Sequence, residues 1–163
     1  MGIGHDTHAY RRHLPHLQRD LATYAVAFST RYRKILPPHA RDEVLACCIH
    51  SHQVTYWLDV AVVMPDHVHL LITPYAGCTL PAALKAIKGN SSRRANRVMT
   101  RRGTLWEEES FDRILRKDED LTRKAEYILD NPLRAGLVRQ REDYPWLWCS
   151  WRNGPDDSSS SGA

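Results

Sequence analysis

Two histidines separated by a single residue, His67 and His69, open the segment HVHLLIT, which runs to Thr73. The alternation of this segment predicts a strand, and residues two apart on a strand leave the sheet on the same face. Val68, Leu70 and Ile72 then take the opposite face, which can pack against helices. Two imidazoles so placed suit one divalent metal and leave positions for a third ligand and for substrate. The same spacing also arises on the solvated face of an ordinary amphipathic strand, so the pair needs a chemical partner.

Tyr127 and Asn131 supply one. They lie in a helical segment predicted from Asp118 to Asn131 and stopped by Pro132. At about 100° per residue, with Leu121 at zero, Ala125 falls near 40°, Ile128 near 340° and Leu129 near 80°. Tyr127 falls near 240°, Asn131 near 280° and Lys124 near 300°, away from that apolar stripe. Because Asn131 precedes a proline, its direction can depart from the α-helical value. A core tyrosine would stand among the apolar residues, whereas this one is presented outward. A phenol, with a pKa of about 10, is a poor nucleophile until a metal, base or cation assists it. A helix presenting Tyr127 and Asn131 to a strand presenting His67 and His69 would provide that assistance.

Charge points to the partner. From Cys78 to Trp106 there is no Asp or Glu, while Lys85, Lys88, Arg93, Arg94, Arg97, Arg101 and Arg102 all fall inside. A run this free of acids is the footprint expected of a polyanion-binding surface, although most charge runs are merely solvated helix faces. Trp106 is read as a core or hinge residue in preference to a base-stacking one. Cys47, Cys48, His50 and His52 (CCIHSH) imitate a metal site, but on a helix they diverge and match no common zinc spacing. His5, His8, His13 and His16 lie in a polar N-terminal stretch and are read as solvated.

The elements that must position these groups are legible in the same way. Residues 22–29 and 56–64 read as strands, and Pro65-Asp66 as the tight turn that joins the second of them to the histidine strand. Residues 40–52 have helical spacing; residues 80–101 form a long basic helix weakened but not broken by Gly89. Residues 111–115 (FDRIL) read as a short fourth strand. The order β-α-β-β-α-β predicts an α+β, ferredoxin-like antiparallel sheet with helices on one face, followed by the tyrosine-bearing helix. That architecture hosts many functions and names none.

The chain has 163 residues, 42% apolar and 26% charged, with a formal charge of +4. One domain of this size buries roughly 70% of its unfolded surface without a disulfide scaffold. Cys47, Cys48, Cys78 and Cys149 form no framework pattern and are expected to be reduced. Residues 1–12 carry no apolar stretch resembling a signal peptide, and no run approaches a membrane span. The expected organisation is a flexible segment at 1–18, a catalytic domain at 19–152 and a disordered tail at 153–163, in a cytoplasmic protein without membrane partners.

Four segments in order resemble a known family. VVMPDHVHLLITP (residues 62–74) resembles the metal motif of the HUH tyrosine transposases, and YILDNPLRAGLV (residues 127–138) resembles their nucleophile helix and its exit. LKAIKGNSSRRANR (84–97) and LWEEESFDRILR (105–116) also match. The likeness is strongest to the REP-associated tyrosine transposases, relatives of the single-tyrosine insertion-sequence enzymes, and covers about residues 20–151. It implies an enzyme, a metal-dependent single-strand DNA endonuclease and strand transferase. His67, His69 and Asn131 would bind Mg²⁺ or Mn²⁺, and Tyr127 would form a 5′-phosphotyrosine intermediate. It also implies hairpins of repetitive palindromic elements as partners, a nucleoid location, and a monomer or homodimer. Lys85, Lys88, Arg93, Arg94, Arg97, Arg101 and Lys124 are the expected DNA contacts. A catalytically quiet hairpin-binding regulator of the same fold is the alternative, as is a phosphodiesterase in which water attacks. Leu129 stands where relatives often carry a polar residue, and YPWLWCSW (144–151) follows the family's ending only loosely. Glu107, Glu108 and Glu109 are acids that could approach the site.

Overall fold

A computed structural model describes residues 21–116 and 120–151. The expected terminal segments, the N-terminal histidines and the predicted helix start at Asp118 lie outside the described residues. Five strands form one sheet: β1 (Tyr24–Ser29), β2 (Tyr56–Val63), β3 (His67–Pro74), β4 (Phe111–Ile114) and β5 (Leu147–Cys149), in the order β4-β1-β3-β2-β5. Every neighbouring pair is antiparallel. The first four strands with α1 (Pro38–His50) and α2 (Leu80–Val98) make the expected βαββαβ unit. β5, which sequence reading did not identify, extends the sheet beyond β2. No helix among the described residues is long and apolar enough to cross a membrane.

Strand alternation divides the core in two. On one face Val26, Phe28, Leu58, Val68, Leu70 and Ile72 pack with Val44 and Cys48 of α1 and Leu84, Ile87 and Ala95 of α2. On the other, Val60, Val62 and Leu71 meet Ala125, Ile128 and Leu129 of α3 (Leu121–Leu129). A bulge between Leu58 and Val60 shifts the register of β2, letting the apolar positions on both sides of it face their own layer.

The ends of α2 follow from its residues. Thr79 caps it, accepting from the Ala82 amide at 3.2 Å, and Pro81 occupies the first turn, where no N–H is needed. The helix stops short of the predicted Arg101. Thr100 turns to φ 51°, and the Arg101 amide and guanidinium both return to Asn96, at 2.8 and 3.0 Å. Asp120 caps α3 by accepting from the amides of Thr122 and Arg123. The predicted single helix through Asn131 is in fact two, because α3 ends at Leu129 and a short α4 (Asn131–Arg134) begins with Pro132 in its first turn.

Trp106 is 3% exposed, edge-on to Phe28 at 4.8 Å, and donates its indole N–H to Ser91 Oγ at 3.0 Å, so it is a core residue. Cys47 and Cys48 are buried, and His52 Nδ1 accepts the Leu58 amide at 2.9 Å between the rings of Trp57 and Trp148. That bond occupies the lone pair a metal would need. None of Cys47, Cys48, Cys78 and Cys149 forms a disulfide.

Candidate active site

The hairpin between β2 and β3 aims the two histidines. The Met64 amide donates to the His67 carbonyl at 2.8 Å, closing the Pro65-Asp66 turn, and Thr30 donates from its amide and hydroxyl to the Asp66 carbonyl. The Asp66 carboxylate lies 2.7 Å from His67 Nδ1 and 3.6 Å from an Arg33 guanidinium nitrogen. With Nδ1 engaged, His67 keeps Nε2 for a ligand, the carboxylate–histidine arrangement that commonly orients a metal-binding imidazole. The rings of His67 and His69 stand 4.8 Å apart at 84°. Burial, with smaller contributions from His67, Arg134 and Lys124, lowers the His69 pKa to about 4. His69 is therefore neutral near pH 7 and has a lone pair to offer.

The face these histidines occupy is the face α3 covers. Its apolar stripe of Ala125, Ile128 and Leu129 is buried, as the periodicity predicts, and Tyr127 is left 58% exposed. Two cations lie over the phenol ring: the Arg134 guanidinium carbon is 3.8 Å from its centroid and the Lys124 ammonium 5.2 Å. His67 and His69 share a face of β3 with Leu71, which packs beneath Ala125, Ile128 and Leu129, so the tyrosine end of α3 and the imidazole pair share one side of the sheet. Asn131 heads α4 and donates its side-chain N–H to the Ile128 carbonyl at 2.9 Å, which leaves Oδ1 as the atom for a ligand. The amide is thus tied to the tyrosine helix and bonds neither imidazole. No group of three His, Cys, Asp or Glu side chains among the described residues is arranged to hold a metal ion by itself. A cation held here would need the amide, substrate or water to complete its shell. The donor set of two imidazoles and an amide oxygen fits such a cation.

Three residues at this face escaped sequence reading. Asp66 was read only as a turn former. Arg134 stands seven residues after Tyr127, beyond the proline that closes the predicted helix, so helix periodicity could not place it. Arg141 reaches back from the following loop. Its guanidinium lies 2.6 Å from both Glu126 Oε2 and Asp130 Oδ1, gripping the residues that flank Tyr127 and Asn131 in sequence.

The basic run does not form one continuous stripe. Lys85 and Lys88 border a groove of about 1200 Å³ between α2 and the loop before β4, whereas Arg93, Arg94 and Arg97 border a second of about 510 Å³ between α1 and α2. His67, His69, Tyr127 and Asn131 line neither. Several of these cations already hold the fold together. Lys88 donates to the carbonyls of Glu107 and Glu108 and to Ser110 Oγ, at 2.7, 3.1 and 3.1 Å. Arg94 pairs with Glu43 at 2.6 Å, Arg93 donates to the Asn90 carbonyl oxygen, and Arg101 binds Asn96 and the Thr104 carbonyl. The acids Glu107 and Glu108 border the first groove, and the Glu107 amide donates to the carbonyl of Ser29, the β1 residue opposite His67, at 2.8 Å.

Comparison with known proteins agrees with this architecture. Residues 18–130 match the family model described as transposase IS200 like. A Haemophilus influenzae protein assigned as a REP-associated tyrosine transposase is 25% identical over 136 residues, 77% of this chain and 69% of its own length. A solved REP-associated tyrosine transposase bound to a REP hairpin shares the fold with a TM-score of 0.63 at 20% identity, over 85% of this chain and 80% of that one. A protein from Deinococcus radiodurans assigned as a transposase aligns with a TM-score of 0.50 at 24% identity, over 75% and 95% of the two chains.

Proposed function

The chain belongs to the IS200-like transposase family, and from that premise we propose that it cleaves and rejoins single-stranded, hairpin-flanked DNA through Tyr127. The observation that carries this reading is the shared face: α3 presents an exposed phenol, flanked by two cations, on the side of the sheet that bears His67 and His69. The Tyr127 oxygen attacks a phosphodiester; a bond from that oxygen to phosphorus forms as the bond to the 3′ oxygen breaks. The phenolic proton is lost, and the departing 3′ oxygen takes one up. The resulting 5′-phosphotyrosine ester retains the energy of the broken bond, so a second 3′-hydroxyl can reverse the step and rejoin strands without ATP.

His67, His69 and Asn131 would hold a divalent cation, Mg²⁺ or Mn²⁺, which when bound offsets charge developing on the phosphoryl oxygens. Asp66 holds the His67 ring by Nδ1. Arg134 and Lys124 pack over the phenol and bring positive charge to the place where the phosphate must approach. Hairpins of repetitive palindromic elements are the proposed targets, in keeping with what the structural relative binds.

The test uses labelled single strands taken from inverted repeats that flank the coding sequence, incubated with Mn²⁺ and then denatured. A covalent protein–DNA adduct is expected, and Tyr127→Phe should lower its yield by roughly a thousandfold or more. Because Tyr127 is exposed, the variant should melt with the parent protein. Binding without cleavage would identify a regulator instead, and cleavage that survives Tyr127→Phe would identify attack by water.

A further inference from the structure

The sheet register places an exposed aromatic beside the histidine pair. Ala27 of β1 is opposite His69 of β3 on one side and opposite Phe111 of β4 on the other. Directly opposed residues in antiparallel strands share a face, so Phe111 stands on the same side of the sheet as His69. Two interstrand steps of about 4.8 Å put the two backbone positions roughly 10 Å apart. Only the short side chain of Ala27, itself half-buried, lies between them. Phe111 is 77% exposed. The ring adds nothing to the core, and edge strands more commonly carry charge at such positions.

We propose that Phe111 is a stacking platform for an unpaired nucleobase of the strand whose phosphate is held at His67 and His69. The inference rests on the preceding functional reading and deepens it. A ring one small residue away from the imidazoles is within reach of the nucleotide adjoining that phosphate. Base-on-ring stacking accepts any base, so the site supports grip and not sequence choice. Pairing of β4 with a second copy of the chain is the competing use of an open edge. The strand's four-residue length and its Asp112 and Arg113 oppose it, since short charged edges discourage strand addition.

The experiment measures binding in a Tyr127→Phe background, which prevents adduct formation. The probes are oligothymidylate and an abasic single strand of equal length, compared by fluorescence anisotropy. Phe111→Leu should weaken oligothymidylate binding about tenfold while changing abasic binding by less than about twofold, and Phe111→Trp should restore the difference. An equal loss on both probes, or no loss on either, overturns the proposal. So does a Phe111→Leu protein that sediments as a smaller species than its parent, which would assign the ring to contact between copies. If the parent protein binds neither oligothymidylate nor a hairpin-flanked strand, the functional reading falls with it; oligothymidylate binding that ignores Phe111, or hairpin binding with no oligothymidylate binding, removes this inference alone.

Discussion

The two faces of the sheet are built to different standards. One is closed by α1 and α2, whose side chains with β1, β2 and β3 form a continuous apolar layer that also takes in Trp106. The other is covered by α3 over β2 and β3, while Ala25, Ala27 and Ser29 of β1 remain half-buried. The first face buries nearly everything it has. The second leaves His67, His69, Tyr127 and Phe111 within reach of solvent, and one short helix with an ionic clamp holds the proposed nucleophile there. Stability and chemistry are thus assigned to opposite sides of a single layer of strands. A strand can serve both because its side chains alternate.

Neighbouring leucines put that division to its most demanding test. Leu70 and Leu71 are both fully buried, the first against the two-helix layer and the second beneath α3. Replacing either with Ala should cost about 2–5 kcal/mol, with Leu70 toward the upper end because two long helices cannot settle into the cavity. Chemical denaturation measures that cost. Adduct formation per folded molecule should fall for Leu71→Ala and hold for Leu70→Ala. If Leu71→Ala costs more stability, or if both lose activity alike, the faces do not divide their work in this way.

A smaller effect concerns the clamp. Arg141→Ala removes two carboxylate partners whose side chains are 47% and 38% exposed, so solvent screening holds the loss of stability to about 1 kcal/mol. The adduct rate should drop more than that change in folding explains, with strand affinity preserved and partial recovery in Arg141→Lys. Rates unaltered after removal of the clamp would show that the apolar stripe of α3 suffices. Smallest of all is the charge on the two-helix face. Lys85→Ala combined with Arg97→Ala should weaken hairpin binding and reduce the slope of log affinity against log salt by about one per lost phosphate contact. An unchanged slope would confine DNA to the histidine face and sharpen the contrast.

Much of this was readable in residue order, for reasons that vary by element. Strand alternation placed Val68, Leu70 and Ile72 opposite the histidines, and helix periodicity buried Ala125, Ile128 and Leu129 while leaving Tyr127 outward. Both signals are local. What escaped was long-range or too short to have a period. β5 is three residues in a Trp-rich stretch and is defined by pairing with Val60, Ala61 and Val62. The separate α4 arises because Pro132 fits the first turn of a new helix, so Pro132 both ends one helix and starts the next. In the basic run, composition reports how many cations are present but not which are engaged. Lys88 is held by the loop before β4 and Arg94 by Glu43, whereas Lys85 and Arg97 give no comparable sign in their sequence context. The bond between Arg141 and the pair Glu126 and Asp130 is likewise invisible in a chain with 19 acidic and 23 basic residues, where too many pairings are open.

The position of Arg141 along the chain has a consequence for biosynthesis. Tyr127 leaves the ribosome before Arg141 and before β5, so while translation continues α3 has only its apolar stripe to seat it. The guanidinium reaches Glu126 and Asp130, and the last strand docks on β2, only once the end of the domain emerges. A product truncated just before Gln140 would keep Tyr127 and both imidazoles yet lack the lock, so the proposed site is fully braced only after Arg141 has been made.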